Sequence, residues 1–92
     1  MKFNLEAFKH GKTQEDIEFL YASPSTQRFD NGISDRGNER IMLVGFDQNA
    51  NLMEASLELI FDEDNDGTEY FYHAMKATPE WQKLYEKKRR HG

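Results

Sequence analysis

Between residues 52 and 61 the chain alternates without a break, with Met53, Ala55, Leu57, Leu59 and Phe61 on one side and Glu54, Ser56 and Glu58 on the other. A period of two marks a β-strand with one apolar face, so the fold must be built around a sheet. Two further segments join it. Residues 39–46 are rich in branched apolar side chains and end at the turn Asp47-Gln48-Asn49-Ala50-Asn51, and residues 67–75 carry Tyr70-Phe71-Tyr72, which suits a pleated surface. Residues 25–30 can add a short strand, whereas Asn31-Gly32 and Ser34 to Asn38 read as loop chemistry.

Helical signals flank this sheet. Asn4 can cap a short helix with Leu5 and Phe8 on one face and Gly11 at its stop. Thr13 and Asp16 stand at capping-box spacing before Ile17, Leu20 and Tyr21, predicting a helix over 13–22, which Pro24 ends. Thr78, Pro79 and Glu80 have the N-cap, first-position and first-turn chemistry of a terminal helix, whose Trp81, Leu84 and Tyr85 form an apolar stripe. Two short N-terminal helices, an antiparallel sheet of three to four strands and a C-terminal helix packed on it make an α+β order.

With 92 residues the chain has room for one domain, spanning 1–92, that buries about 60–65% of its unfolded surface. Seven Phe, four Tyr and one Trp supply the apolar area. The uncharged apolar stretches are far below the roughly 20 residues of a membrane span, and the N-terminus has no apolar secretion segment, so a cytoplasmic location without membrane contact is expected. The absence of cysteine excludes disulfides, thiolate metal sites and thiol nucleophiles.

Charge is uneven. Residues 79–92 carry five Lys/Arg against Glu80 and Glu86, a net +3, whereas residues 1–78 carry −8. The basic end could meet phosphate or an acidic partner, or simply complement the negative end of its own helix; the body would repel nucleic acid.

Asp62-Glu63-Asp64-Asn65-Asp66-Gly67 repeats the opening of a calcium loop, but His73 stands where the bidentate Glu belongs and strands flank it. A solvated hairpin connection is the better reading, and no metal or other cofactor is expected. P-loop, dinucleotide-binding and zincin motifs are absent. Of the histidines, His10 can serve as a helix-terminal cation. Strand alternation puts His73 on one mainly apolar face with Phe71 and Met75, where a hydrogen-bonded half-buried imidazole is the plain expectation. Yet Lys76 follows it at the strand's end, and a proton carrier beside a phosphate-binding cation is what RNA transesterification needs.

The order of local motifs resembles the BrnT toxins of type II toxin–antitoxin systems. Lys9-His10-Gly11, the acidic helix Glu15-Asp16-Ile17-Glu18 with Ser23-Pro24, Glu39-Arg40 followed by Gly45, Ala74-Met75-Lys76-Ala77-Thr78 and Tyr85-Glu86 stand in the family's places, covering residues 9–86. The resemblance implies a RelE-like fold, a metal-independent endoribonuclease acting on RNA, and a DNA-binding ribbon-helix-helix antitoxin as cognate partner. It puts Arg40, Lys76 and Tyr85 on the RNA-facing surface and matches His10 to the family's Lys-His-Gly histidine; in RNA cleavage by this chain, His73, or else His10, is the residue expected to move the proton. Active relatives carry more arginines before Lys76 and in the terminal helix, where this chain has Met75, Glu80, Trp81 and Gln82. That departure implies weakened activity, or a noncatalytic protein-binding domain that keeps the toxin fold, and it leaves homodimerisation open.

Overall fold

The computed structural model describes residues 1–61, 63–64 and 66–91. Along the chain come β1 (Lys2–Phe3), a 3-10 turn (Leu5–Phe8), α1 (Gln14–Ala22), β2 (Gln27–Ile33), β3 (Glu39–Phe46), β4 (Leu52–Phe61), β5 (Asp66–Lys76) and α2 (Pro79–His91). The strands form one sheet in the order β1-β5-β4-β3-β2. β2 through β5 pair antiparallel with their neighbours in sequence, as hairpin-connected strands do.

Several expectations are corrected. The sheet has five strands among the described residues, and β1 pairs parallel with β5 through Lys2↔Tyr70 and Phe3↔Phe71. Two residues are too short to show a period; this strand is held by Phe3 stacking on Phe71 at 5.7 Å and by the Asn4 amide donating to the Phe71 carbonyl at 2.8 Å. The first helix is a single 3-10 turn, capped as expected by Asn4, whose side chain accepts from the Glu6 amide. β2 runs on to Ile33, through Asn31-Gly32, because Gly32 takes φ +82° and a bulge between Asp30 and Ile33 absorbs the kink. The calcium-loop reading includes Asp62 and Asn65, which lie outside the described residues.

Local chemistry accounts for the helices. Thr13 Oγ1 accepts from the Asp16 amide while the Asp16 carboxylate accepts from the Thr13 amide, a reciprocal box satisfying two orphan donors. α1 and the 3-10 turn cover one face of the sheet. There Ala7, Ile17 and Leu20 pack with Leu43, Met53, Ala55, Leu57, Phe71 and Ala74. α2 covers part of the opposite face, where Ala77, Tyr85 and Trp81 meet Met42, Val44, Phe29, Phe46 and Leu52. Leu84, expected on the same stripe, is turned toward solvent.

Gly45 allows the close approach of α1 and the chain leaving it. A Cβ there would lie 2.5 Å from Thr26 Oγ1 and 2.8 Å from Leu20 Cδ1, separations real side chains do not tolerate. At the β3–β4 turn, Asp47 Oδ1 accepts from the amides of Asn49 (2.8 Å) and Asn51 (3.0 Å), and Oδ2 pairs with the Lys12 ammonium. Asp47 is buried. The ion pair thus ties the segment before α1 to the β3–β4 hairpin.

Candidate functional site

A strand flanked on both edges and covered on both faces should be apolar throughout. β4 departs from this: Glu54, Ser56 and Glu58, all on the α2-facing side, are only 3%, 1% and 4% exposed. Burying such groups is costly unless each finds partners, and each does. Glu54 Oε1 accepts from the Thr78 amide at 2.8 Å, where α2 begins, and Oε2 lies 2.8 Å from His73 Nε2. Ser56 Oγ accepts from Asn31 Nδ2 at 3.1 Å and lies within hydrogen-bond reach of the Tyr72 hydroxyl and the Ile41 carbonyl. Glu58 Oε2 accepts from Asn38 Nδ2 at 2.8 Å and meets the Arg36 guanidinium at 3.1 Å.

A bulge decides what faces this row. Ser56 pairs with His73 but Leu57 pairs with Phe71, so Tyr72 is the extra residue on β5. The expectation that His73 shares a face with Phe71 is therefore corrected. Phe71 points into the α1-side core, while His73 turns to the α2 side and reaches Glu54. Tyr72, on that same side, carries the Arg40 guanidinium over its ring, 5.2 Å from the centroid.

Of the residues singled out from the sequence, Arg40 and His73 lie on one side of the sheet, and the His10 ring stands edge-on to that of His73, centroids 6.1 Å apart. Lys76 is elsewhere. It pairs with Met53, whose side chain belongs to the α1-side core, whereas Arg40 pairs with Glu58 on the opposite face. Met53 and Glu58 are five positions apart on β4, about 17 Å along the strand. Tyr85 is 1% exposed, its ring edge-on to Phe46 and its hydroxyl donating to the Ser25 carbonyl at 3.2 Å, which leaves it no surface for RNA.

Chemically, the row offers an imidazole held by a buried carboxylate. A neutral His73 that donates through Nε2 to Glu54 keeps Nδ1 as its basic nitrogen, and His10 places a second imidazole beside it. Ser56 lies directly across from His73, yet its hydroxyl is buried among Tyr72, Asn31 and Ile41, so it does not serve as a nucleophile. Among the described residues, no three His, Asp or Glu side chains converge in a metal-binding group. Glu54 and Ser56, expected only as the polar side of their strand, and Tyr72 and Asn31 belong to no chemical motif in the sequence, yet they build this row. The available signal was the Glu-x-Ser-x-Glu pattern in a strand with neighbours on both sides.

Hydrogen bonding from Asn38 holds the Glu58 carboxyl below its ordinary value against the opposing effect of burial, with help from the Arg36 charge. Burial is the largest influence on Asp47 and would raise it, but Lys12 and the amides of Asn51 and Asn49 together outweigh it and depress it. A carboxyl depressed in the folded state stabilises fully above its unfolded pKa, about 4, and that contribution is lost as pH falls through the lower folded value. Urea midpoints measured from pH 7 to pH 3 are therefore expected to fall below about pH 5. An Asp47→Asn/Glu58→Gln variant should start lower and show a flatter profile; an unchanged slope would exclude these two carboxyls as its source.

Among the described residues, no helix is long and apolar enough to cross a membrane. No protein-family model matches this chain, and no curated protein matches it either.

Proposed function

We propose that this chain is a noncatalytic protein-binding domain that retains a BrnT-like, RelE-type toxin fold, and that its partner is a DNA-binding ribbon-helix-helix antitoxin in the cytoplasm. The observation carrying this reading is the separation of Arg40 and Lys76 onto opposite faces of the sheet. Gripping one internucleotide phosphate requires cations that converge, because stabilising the developing charge is the main catalytic task. At the basic end of α2, Lys88 donates to the Arg28 carbonyl at 2.9 Å and Arg89 lies 3.6 Å from Glu86, so two of its five cations are already engaged. A body of net −8 weakens polyanion binding further.

A second reading, RNA cleavage, is favoured by His73 on Glu54 with His10 alongside. In it the ribose 2′-oxygen attacks the adjacent phosphorus as the 5′-oxygen leaves, giving a 2′,3′-cyclic phosphate and a 5′-hydroxyl. His73 takes the 2′ proton, His10 protonates the leaving oxygen, and Arg40 contributes charge from the same face.

Incubating the purified protein with RNA in EDTA separates the two, alongside co-expression with whatever small ribbon-helix-helix protein its genomic neighbourhood encodes. RNA left intact by wild type and by His73→Ala, with the neighbour co-purifying, is the expected result. Cleavage that drops by about 100-fold or more in His73→Ala, the scale of general acid–base catalysis, would overturn the noncatalytic reading.

A further inference from the structure

We propose that the α1-facing surface at the β4–β5 hairpin end of the sheet docks a basic amphipathic protein segment. The inference rests on the partner-binding reading above and names the surface and the chemistry of the partner. Ile33 and Phe61 are 64% and 63% exposed, unusual for large apolar side chains in strands. The register brings them to the same end of the sheet, on β2 and β4, with Glu39 of β3 between. Ile33 pairs with Glu39, Leu59 pairs with Glu69, and Phe61, two positions beyond Leu59, falls on the same side. Leu59 is half-buried and packs against the α1-side core, so the apolar corner continues that core to the surface.

The corner is partly pre-organised. The Phe61 ring lies against Gly67, where an added Cβ would come within 3.0 Å of it, and the Tyr21 hydroxyl fixes Glu69 at 2.6 Å. A partner therefore meets side chains already held in place, which lowers the ordering cost of binding.

Charge selects the partner. Asp30, paired with Ile41, joins Glu39 and Glu69 on this face, and Arg28 offsets one of them. The surrounding body is strongly negative. RNA and anionic bilayers carry the same sign and are repelled. A helix or strand with an apolar stripe flanked by Lys or Arg satisfies both the exposed apolar area and the acidic rim.

The probe is a synthetic helical peptide of leucine and lysine with one apolar face, compared with a peptide of the same composition whose leucines are scattered. Fluorescence anisotropy at physiological salt should show binding of the amphipathic peptide alone. Affinity should fall about 10-fold or more in Ile33→Ser/Phe61→Ser, the scale expected for losing a buried apolar side chain. Both sites are exposed, so the variant should melt as wild type does. Equal binding of the two peptides, or unchanged affinity in the variant, overturns the proposal. So does a wild-type dimer in sedimentation that the variant abolishes, because the occupant is then a second copy. If the genomic neighbour co-purifies with wild type and variant alike, the surface is wrong while the partner-binding reading stands; if it co-purifies with neither, that reading fails on its own account.

Discussion

Asp47→Ala is expected to destabilise the protein by about 3–5 kcal/mol, the range for removing one member of a buried ion pair. Three losses coincide. The Lys12 ammonium, itself largely covered, is left without its counter-charge, and the amides of Asn49 and Asn51 lose their acceptor. A domain of this size has about 5–15 kcal/mol of stability in total, so the variant should sit close to its unfolding transition at 25 °C. Asp47→Asn keeps the Oδ1 acceptor and loses only the charge, and its cost should be intermediate. Urea unfolding at pH 7 with both variants provides the check. An alanine cost below about 1 kcal/mol would place this pair with weak surface contacts.

Phe71→Ala is expected to cost a similar amount, about 3–5 kcal/mol, through lost burial and the cavity left behind. Phe71 is fully buried, stacks on Phe3 at 5.7 Å and meets Tyr21 edge-on at 6.3 Å. Truncating it removes the surface on which β1 is held, so hydrogen exchange at the Asn4 amide, which donates to the Phe71 carbonyl, should speed up more than exchange at the centre of β3. Phe46→Ala makes a useful comparison because Phe46 is only half-buried, and a smaller loss is expected there. Equal losses at the two positions would argue against the α1-side core as the dominant one.

Much of the fold was legible because its signals are local. The alternation of 52–61, the branched run of 39–46, the Thr13/Asp16 box and the Thr78-Pro79-Glu80 helix start each act within a few residues and reappear where expected. β1 was not legible, since two residues make a strand only when Phe71 and the β5 backbone stand beside them. The extension of β2 through Asn31-Gly32 was hidden for a related reason: glycine serves a loop and a bulged strand equally well.

The candidate site divides along the same line. His10, His73 and Arg40 could be nominated from residue type and neighbours in sequence, and so could Lys76 and Tyr85. Which of them share a surface depends on strand parity and on one extra residue at Tyr72, quantities with no local signature. That bulge turns His73 away from Phe71 and onto Glu54, while the unbroken side-chain alternation along β4, from Met53 to Glu58, sends their partners Lys76 and Arg40 to opposite faces. The amino-acid order alone determined α1, α2, the central strands and the charge imbalance, because those follow from short-range periodicity, capping and composition. Only the tertiary structure decided which polar groups are buried together, because cross-strand pairing joins residues distant in the chain, as far apart as Lys2 and Tyr70, and a single-residue shift in it reverses every face.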